Sequence, residues 1–136
     1  MDRELFDRAK AVRERAHAPY SRFQVGAALR SAAGAIHAGA NVENASYPEG
    51  WCAETSAIAH MIAAAPSGPD RRVAAICVVA ERIDGRLITP CGGCRQRLAE
   101  FAGPDALVHV ADPAGDGRTY RLAELLPAAF ALDGRT

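Results

Sequence analysis

The sequence has no net charge, no long apolar run, no internal repeat and no low-complexity block, and each absence removes a class of function. Sixteen Lys and Arg residues balance sixteen Asp and Glu residues over 136 positions. No basic run marks a nucleic-acid-binding face, and no acidic tail marks a solvating segment. Small uncharged or mildly polar ligands suit this balance better than polyanions. No stretch approaches the roughly 18 apolar residues that a membrane span needs. The N-terminal Met1-Asp2-Arg3-Glu4 is charged and no apolar signal segment follows it, so a cytoplasmic location is the expectation. Cysteine is scarce as well. Four cysteines, two of them separated by only two residues, fit a cytosolic metal or redox site better than a disulfide framework. What is present suffices for one hydrophobic core: the chain is 49% hydrophobic, and residues 1–136 are expected to form a single domain.

Periodicity sets out the elements. Leu5, Ala9, Val12 and Ala16 recur at helical spacing, which predicts an amphipathic first helix ending before Pro19. Phe23 to Leu29 and Ala35 to Val42 read as two strands of a hairpin, with Gly34 in the turn. A helix is expected from Cys52 to about Ala65, stopped by Pro66-Ser67-Gly68-Pro69. The apolar run Val73 to Ala80 predicts a central strand buried on both faces. Asp84-Gly85 turns the chain. A third helix starts near Pro90 or Cys91 and runs to about Ala102, Ala106 to Ala111 forms another strand, and Asp112 to Arg118 forms a turn-rich loop. Leu122 to Leu126 reads as a short helix ended by Pro127. A hairpin followed by alternating strands and helices argues for a mixed sheet with helices on both faces.

The chemistry is concentrated in Cys52-Ala53-Glu54 and Pro90-Cys91-Gly92-Gly93-Cys94. Three thiolates are one short of the four ligands that close a structural zinc site, so a tetrahedral ion held by them keeps a position for water. Cys91 and Cys94 share one face of a helix start, and Cys52 begins a different helix. Helix N-termini stabilise thiolates and lower cysteine pKa values. Bound zinc lowers the pKa of a coordinated water from about 15.7 to near 7. Glu54 lies within reach of such a water and of a substrate, where positioned acid–base catalysis contributes roughly 10²–10⁴-fold.

These motifs resemble the three-cysteine form of the zinc nucleobase deaminase signature. The segments Tyr20 to Leu29, Asn41 to Pro48, Arg95-Gln96 and Leu125 to Phe130 extend the resemblance to the cytidine deaminase family over about residues 16 to 130. The resemblance implies a three-layer α/β/α fold with a mixed, mostly parallel sheet of five (or four) strands. It implies one zinc ion per chain on Cys52, Cys91 and Cys94, with Glu54 as the proton shuttle. Asn41 and Glu43 would hold ribose hydroxyls, Phe23 would pack on the pyrimidine, and the Ala53 backbone would meet the base edge. Tyr47 and Phe130 would serve neighbouring subunits of a homotetramer with shared sites. The implied reaction is hydrolytic deamination of cytidine and 2′-deoxycytidine to the uridine forms and ammonia in pyrimidine salvage, with no nucleic-acid or membrane partner.

The chain departs from the family pattern at Thr55, where many short-chain relatives carry an arginine that hydrogen-bonds the cysteine sulfurs. The negative charge of the sulfurs would then be offset by helix N-termini, backbone N–H groups or Arg95, with a shifted pH profile as the consequence. Other readings remain beside this one. Cys91 and Cys94 alone fit a redox pair. Another cytosine nucleoside, such as a nucleoside antibiotic, fits the same chemistry, and Thr55 fits a zinc-stabilised protein without catalysis. Cys77 in its apolar strand reads as core. His60, about 12 Å along the helix from Cys52 at 1.5 Å per residue, reads as an ordinary residue, as do His17, His37 and His109. Trp51 is assigned either to the pocket or to an interface.

Overall fold

The apolar residues separate into two layers on opposite faces of one sheet, and β3 shows why. Along β3 (Val73–Ala80), Ile76 and Val78 pack to one side while Ala75, Cys77 and Val79 pack to the other. Side chains alternate along a strand, so a continuous apolar run serves two cores at once. The first core receives Leu5, Phe6 and Ala9 from α1 (Arg3–Arg13). The second receives Ala57, Ile58 and Met61 from α2 (Ala53–Ala64), with Leu98 and Ala99 from α3 (Gly92–Phe101). The three-layer α/β/α arrangement follows. The computed structural model describes residues 1–132.

The sheet has five strands in the order β2-β1-β3-β4-β5. β1 (Val25–Ser31) and β2 (Ile36–Ala40) form the expected hairpin, and Gly34 occupies its turn at φ 98°, a conformation that only glycine adopts without strain. β4 (Leu107–Ala111) lies parallel to β3 after the α3 crossover. The other three pairings are antiparallel, so the sheet is mixed but mostly antiparallel, not mostly parallel as the resemblance implied. The reason is positional. The α2 crossover does make β3 run parallel to β2, but β1 is inserted between them and opposes both.

Two boundaries also differ. The first helix ends before Pro19 as expected, but it stops at Arg13 and leaves Ala16 outside, because residues beyond it pair with another segment instead. His17 N–H donates to the Asn41 carbonyl at 3.0 Å, and Glu43 N–H donates to the His17 carbonyl at 2.7 Å. Tertiary pairing here overrides helical periodicity. The predicted loop from Asp112 to Arg118 is shorter than expected, because a fifth strand, β5 (Gly117–Arg121), pairs with β4 ahead of α4 (Leu122–Leu125). β5 carries Gly117, Arg118 and Arg121 and is largely exposed, so it lacks the apolar alternation that announces a strand. No helix of the described residues is long and apolar enough to cross a membrane.

Two glycines set the layer spacing. A Cβ on Gly26 would lie 2.0 Å from the Ala9 carbonyl oxygen of α1, and a Cβ on Gly39 would lie 2.5 Å from the Ala57 nitrogen of α2. Helix backbone therefore rests directly on strand backbone on both faces of the sheet. Gly26→Ala is expected to destabilise the fold by about 1–3 kcal/mol through overpacking, read as a lower thermal midpoint. Gly103→Ala, where a Cβ meets nothing within 4 Å, serves as the control. Equal midpoints for the two variants would contradict this packing.

Candidate active site

The close seat of α2 on β2 brings the start of α2 beside the start of α3, and the three cysteines meet there. Cys52 is the N-cap residue of α2 and Cys91 that of α3, while Cys94 lies one turn into α3. Neither N-cap thiol caps its own helix, so both sulfurs are free to face a common point. The Cys52 and Cys91 Sγ atoms are 3.8 Å apart, and all three sulfurs lie within 4.8 Å of one another. Ligands at about 2.3 Å from a tetrahedral zinc ion stand about 3.8 Å apart, so the donor type and spacing fit zinc. This is the one group of potential metal ligands among the described residues. All four cysteines are free thiols, and Cys77 is buried in the core away from this group, its pKa pushed up to about 12 by burial. His60 makes an edge-to-face contact with His37 at 5.2 Å and takes no part.

Glu54 occupies the first turn of α2 and is only 4% exposed. Burial raises its pKa above the usual carboxylate range, while its own backbone N–H, the Cys94 thiol and the charge of Arg97 act in the opposite direction. The Cys52 thiol is shifted below its ordinary value by a hydrogen bond from Cys94. Cys94 is shifted up by the same bond and by burial.

Cys52, Cys91 and Glu54 line a cavity of about 570 Å³, with Cys94 fully buried behind them. Ala53, Asn41, Glu43 and Tyr47 also line it. Phe23 and Phe130 are not part of the lining: Phe23 is half-buried, and Phe130 is 68% exposed with its carbonyl accepting from Gln96 Nε2 at 3.2 Å. Asn41 is held rigidly. Its Oδ1 accepts from Val25 N–H and its Nδ2 donates to the Phe23 carbonyl, both at 2.8 Å. Glu43 Oε1 accepts from the backbone N–H groups of Tyr20 and Ser21 at 3.0 and 3.1 Å, and Oε2 accepts from the Ser21 hydroxyl. The Ser21 hydroxyl bond holds the Glu43 carboxyl below its ordinary pKa, which keeps it an anionic acceptor.

The charge around the sulfurs is arranged differently from the sequence expectation. Arg95 does not reach them: its guanidinium donates to the Pro90 carbonyl at 2.7 Å, the Leu125 carbonyl at 2.8 Å and Thr89 Oγ1 at 2.9 Å. It ties the start of α3 to α4. The cation beside the sulfurs is Arg97, with Nη1 3.9 Å from Cys94 Sγ, and the Thr55 hydroxyl stands 3.8 Å from the same sulfur. Sequence reasoning missed Arg97; its spacing of three residues from Cys94 on a helix is the signal that could have found it. Trp51 lines the cavity. Tyr20, Ser21 and Thr89 join the lining from loops, where no periodicity marks a side chain's direction.

Known proteins share this arrangement. Residues 1–110 match the family model described as the cytidine and deoxycytidylate deaminase zinc-binding region. The chain is 46% identical over 131 residues to the cytidine deaminase of Halalkalibacterium halodurans, covering 96% of this chain and 95% of that one. The crystal structure of cytidine deaminase from Burkholderia pseudomallei superposes with a TM-score of 0.86 at 43% identity, covering 96% and 99% of the two chains. That of Mycobacterium tuberculosis superposes with a TM-score of 0.79 at 36% identity, covering 97% and 99%. With its sulfur trio and buried glutamate at the junction of two helix starts, the chain belongs to the cytidine and deoxycytidylate deaminase family.

Proposed function

We propose that this chain is a zinc-dependent enzyme that deaminates cytidine and 2′-deoxycytidine to the uridine forms, with residues 1–136 acting as one catalytic domain. The observation that carries the reading is the sulfur trio meeting beside a buried carboxylate at one cavity. Cys52, Cys91 and Cys94 hold the ion. When bound, zinc supplies Lewis-acid chemistry, lowering the pKa of water toward neutrality. Glu54 carries the protons. Its carboxylate takes one from the attacking water and delivers it to the pyrimidine ring nitrogen beside C4. A second transfer lets the amine leave. A C4–O bond forms, the C4–N bond breaks, and water is consumed as ammonia departs. The burial of Glu54 keeps bulk water from competing for those protons.

The other lining residues support a nucleoside. Glu43, fixed as an anion, accepts from ribose hydroxyls, and Asn41 Nδ2 retains a second N–H for the sugar. The Ala53 backbone meets the base edge. Among the described residues no Lys, Arg or His lines the cavity, whereas Glu43 and Glu54 do. A phosphate carrying roughly −1.5 to −2 charge at the sugar end would meet the Glu43 carboxylate with no described basic side chain beside it. The reading therefore favours nucleosides over nucleotides. Phe23 serves the pyrimidine only by turning into the cavity, since its half-buried side chain stands outside the lining. Tyr47 and Phe130, 76% and 68% exposed, serve neighbouring chains in a homotetramer. Free thiols fit a cytoplasmic enzyme of pyrimidine salvage.

Two outcomes test this reading. Ammonia release is expected from cytidine and 2′-deoxycytidine, with kcat/KM for CMP lower by at least roughly 100-fold because like charges face each other. Comparable rates on CMP would remove the nucleoside assignment. Glu54→Gln is expected to lower kcat by roughly 10²–10⁴-fold while zinc content stays at the native level. A variant that turns over at the native rate would remove Glu54 from proton transfer.

A further inference from the structure

Trp51 is the only tryptophan of the chain and the residue directly before Cys52. It lines the cavity yet is 48% exposed, an unusual state for so large an apolar side chain. Its backbone and its indole nitrogen are nevertheless both tethered. The backbone forms an isolated bridge with Val42, through Val42 N–H to the Trp51 carbonyl at 3.0 Å and Trp51 N–H to the Val42 carbonyl at 2.9 Å. The indole Nε1–H donates to Ser56 Oγ at 2.7 Å, and the Ser56 hydroxyl donates onward to the Ala40 carbonyl at 2.8 Å. Ser56 has little slack, because α2 rests on Gly39, where a Cβ would lie 2.5 Å from Ser56 Cβ. The chain thus runs from β2 through Ser56 to the indole.

We propose that Trp51 is a substrate-contacting wall of the cavity, and that Ser56 is the positioning residue that holds the ring in place. The proposal rests on the nucleoside reading of the cavity given above. The ring's one polar group is already bonded to Ser56, so its face and apolar edge are what remain for a ligand. Those surfaces suit the flat faces of a nucleoside and give no hydrogen bond to a phosphate or carboxylate. The neighbours support the assignment. Val42, the bridge partner of Trp51, sits between Asn41 and Glu43, and all four residues line the same cavity. Tyr20 and Tyr47 contact each other edge-on at 6.1 Å, and Trp51 is the remaining aromatic of the lining. A ring already held in its bound position loses little freedom on binding, which favours affinity.

The single tryptophan is its own reporter. Cytidine titrated into the zinc-loaded Glu54→Gln protein is expected to change the tryptophan emission saturably. Trp51→Ala is expected to raise KM for cytidine roughly tenfold, as loss of an aromatic stacking surface does, with the loss falling on KM rather than on kcat. Trp51→Phe recovers most of that loss. Ser56→Ala raises KM in the same direction by a smaller factor and shifts the emission of the free protein, since the indole loses its tether. If the native protein deaminates cytidine while emission stays flat at saturation, or while Trp51→Ala keeps the native KM, the wall assignment is overturned and the enzymatic reading stands. If the native protein neither binds nor deaminates cytidine, the reading of the cavity fails and the inference goes with it. Should Trp51→Ala not fold, the emission titration and the Ser56→Ala KM decide alone.

Discussion

Three sulfurs must meet within a few ångströms, and electrostatics opposes it. Two thiolates 4 Å apart repel each other by about 4 kcal/mol at an effective dielectric near 20, and three pairs of them form here. Positive charge has to be supplied from several sources at once. The starts of α2 and α3 bring the partial positive ends of two helices to the sulfurs. Arg97 adds a full charge beside Cys94. A divalent cation supplies the rest, and the donor spacing fits zinc. The junction of the two helix starts is therefore the constraint around which the molecule is arranged.

The surrounding structure serves that junction. Gly39 lets α2 rest on β2, which fixes where Cys52 and Glu54 stand. Arg95 binds the carbonyls of Pro90 and Leu125 and so anchors the start of α3 against α4. The segment from His17 to Phe23 leaves the first helix early, pairs with residues near Asn41, and wraps its backbone N–H groups around Glu43. One cavity then holds a three-sulfur end, a buried carboxylate and a polar, anion-bearing side. Among the described residues its lining carries Glu43 and Glu54 and no Lys, Arg or His. Family membership gives the reaction type.

What could be read from the sequence follows from where its signals are local. The cysteine spacing, the helix starts, the central strand Val73–Ala80 and the Gly34 turn all depend on near neighbours, and each is found in the structure. β5 was not legible, because an exposed strand of glycine and charged residues is held by backbone pairing to β4 and not by its own pattern. The sheet's direction was misread for a similar reason: strand order is long-range, and the placement of β1 between β2 and β3 leaves no mark on periodicity. Arg95 was nominated to balance the sulfurs, but Arg97 faces them, since two residues along a helix rotate a side chain to another face. Loop residues such as Ser21 and Thr89 carry no direction in the sequence at all.

The central claim is that this sulfur trio holds a metal ion on which the chemistry depends. Its most direct test is a set of preparations with graded zinc loading, each measured for zinc per chain and for ammonia release from cytidine. The rate should rise in proportion to zinc and level off at one ion per chain, and Cys91→Ser should neither retain the ion nor turn over. A rate independent of zinc content, or full activity with two of Cys52, Cys91 and Cys94 joined in a disulfide, would contradict the account.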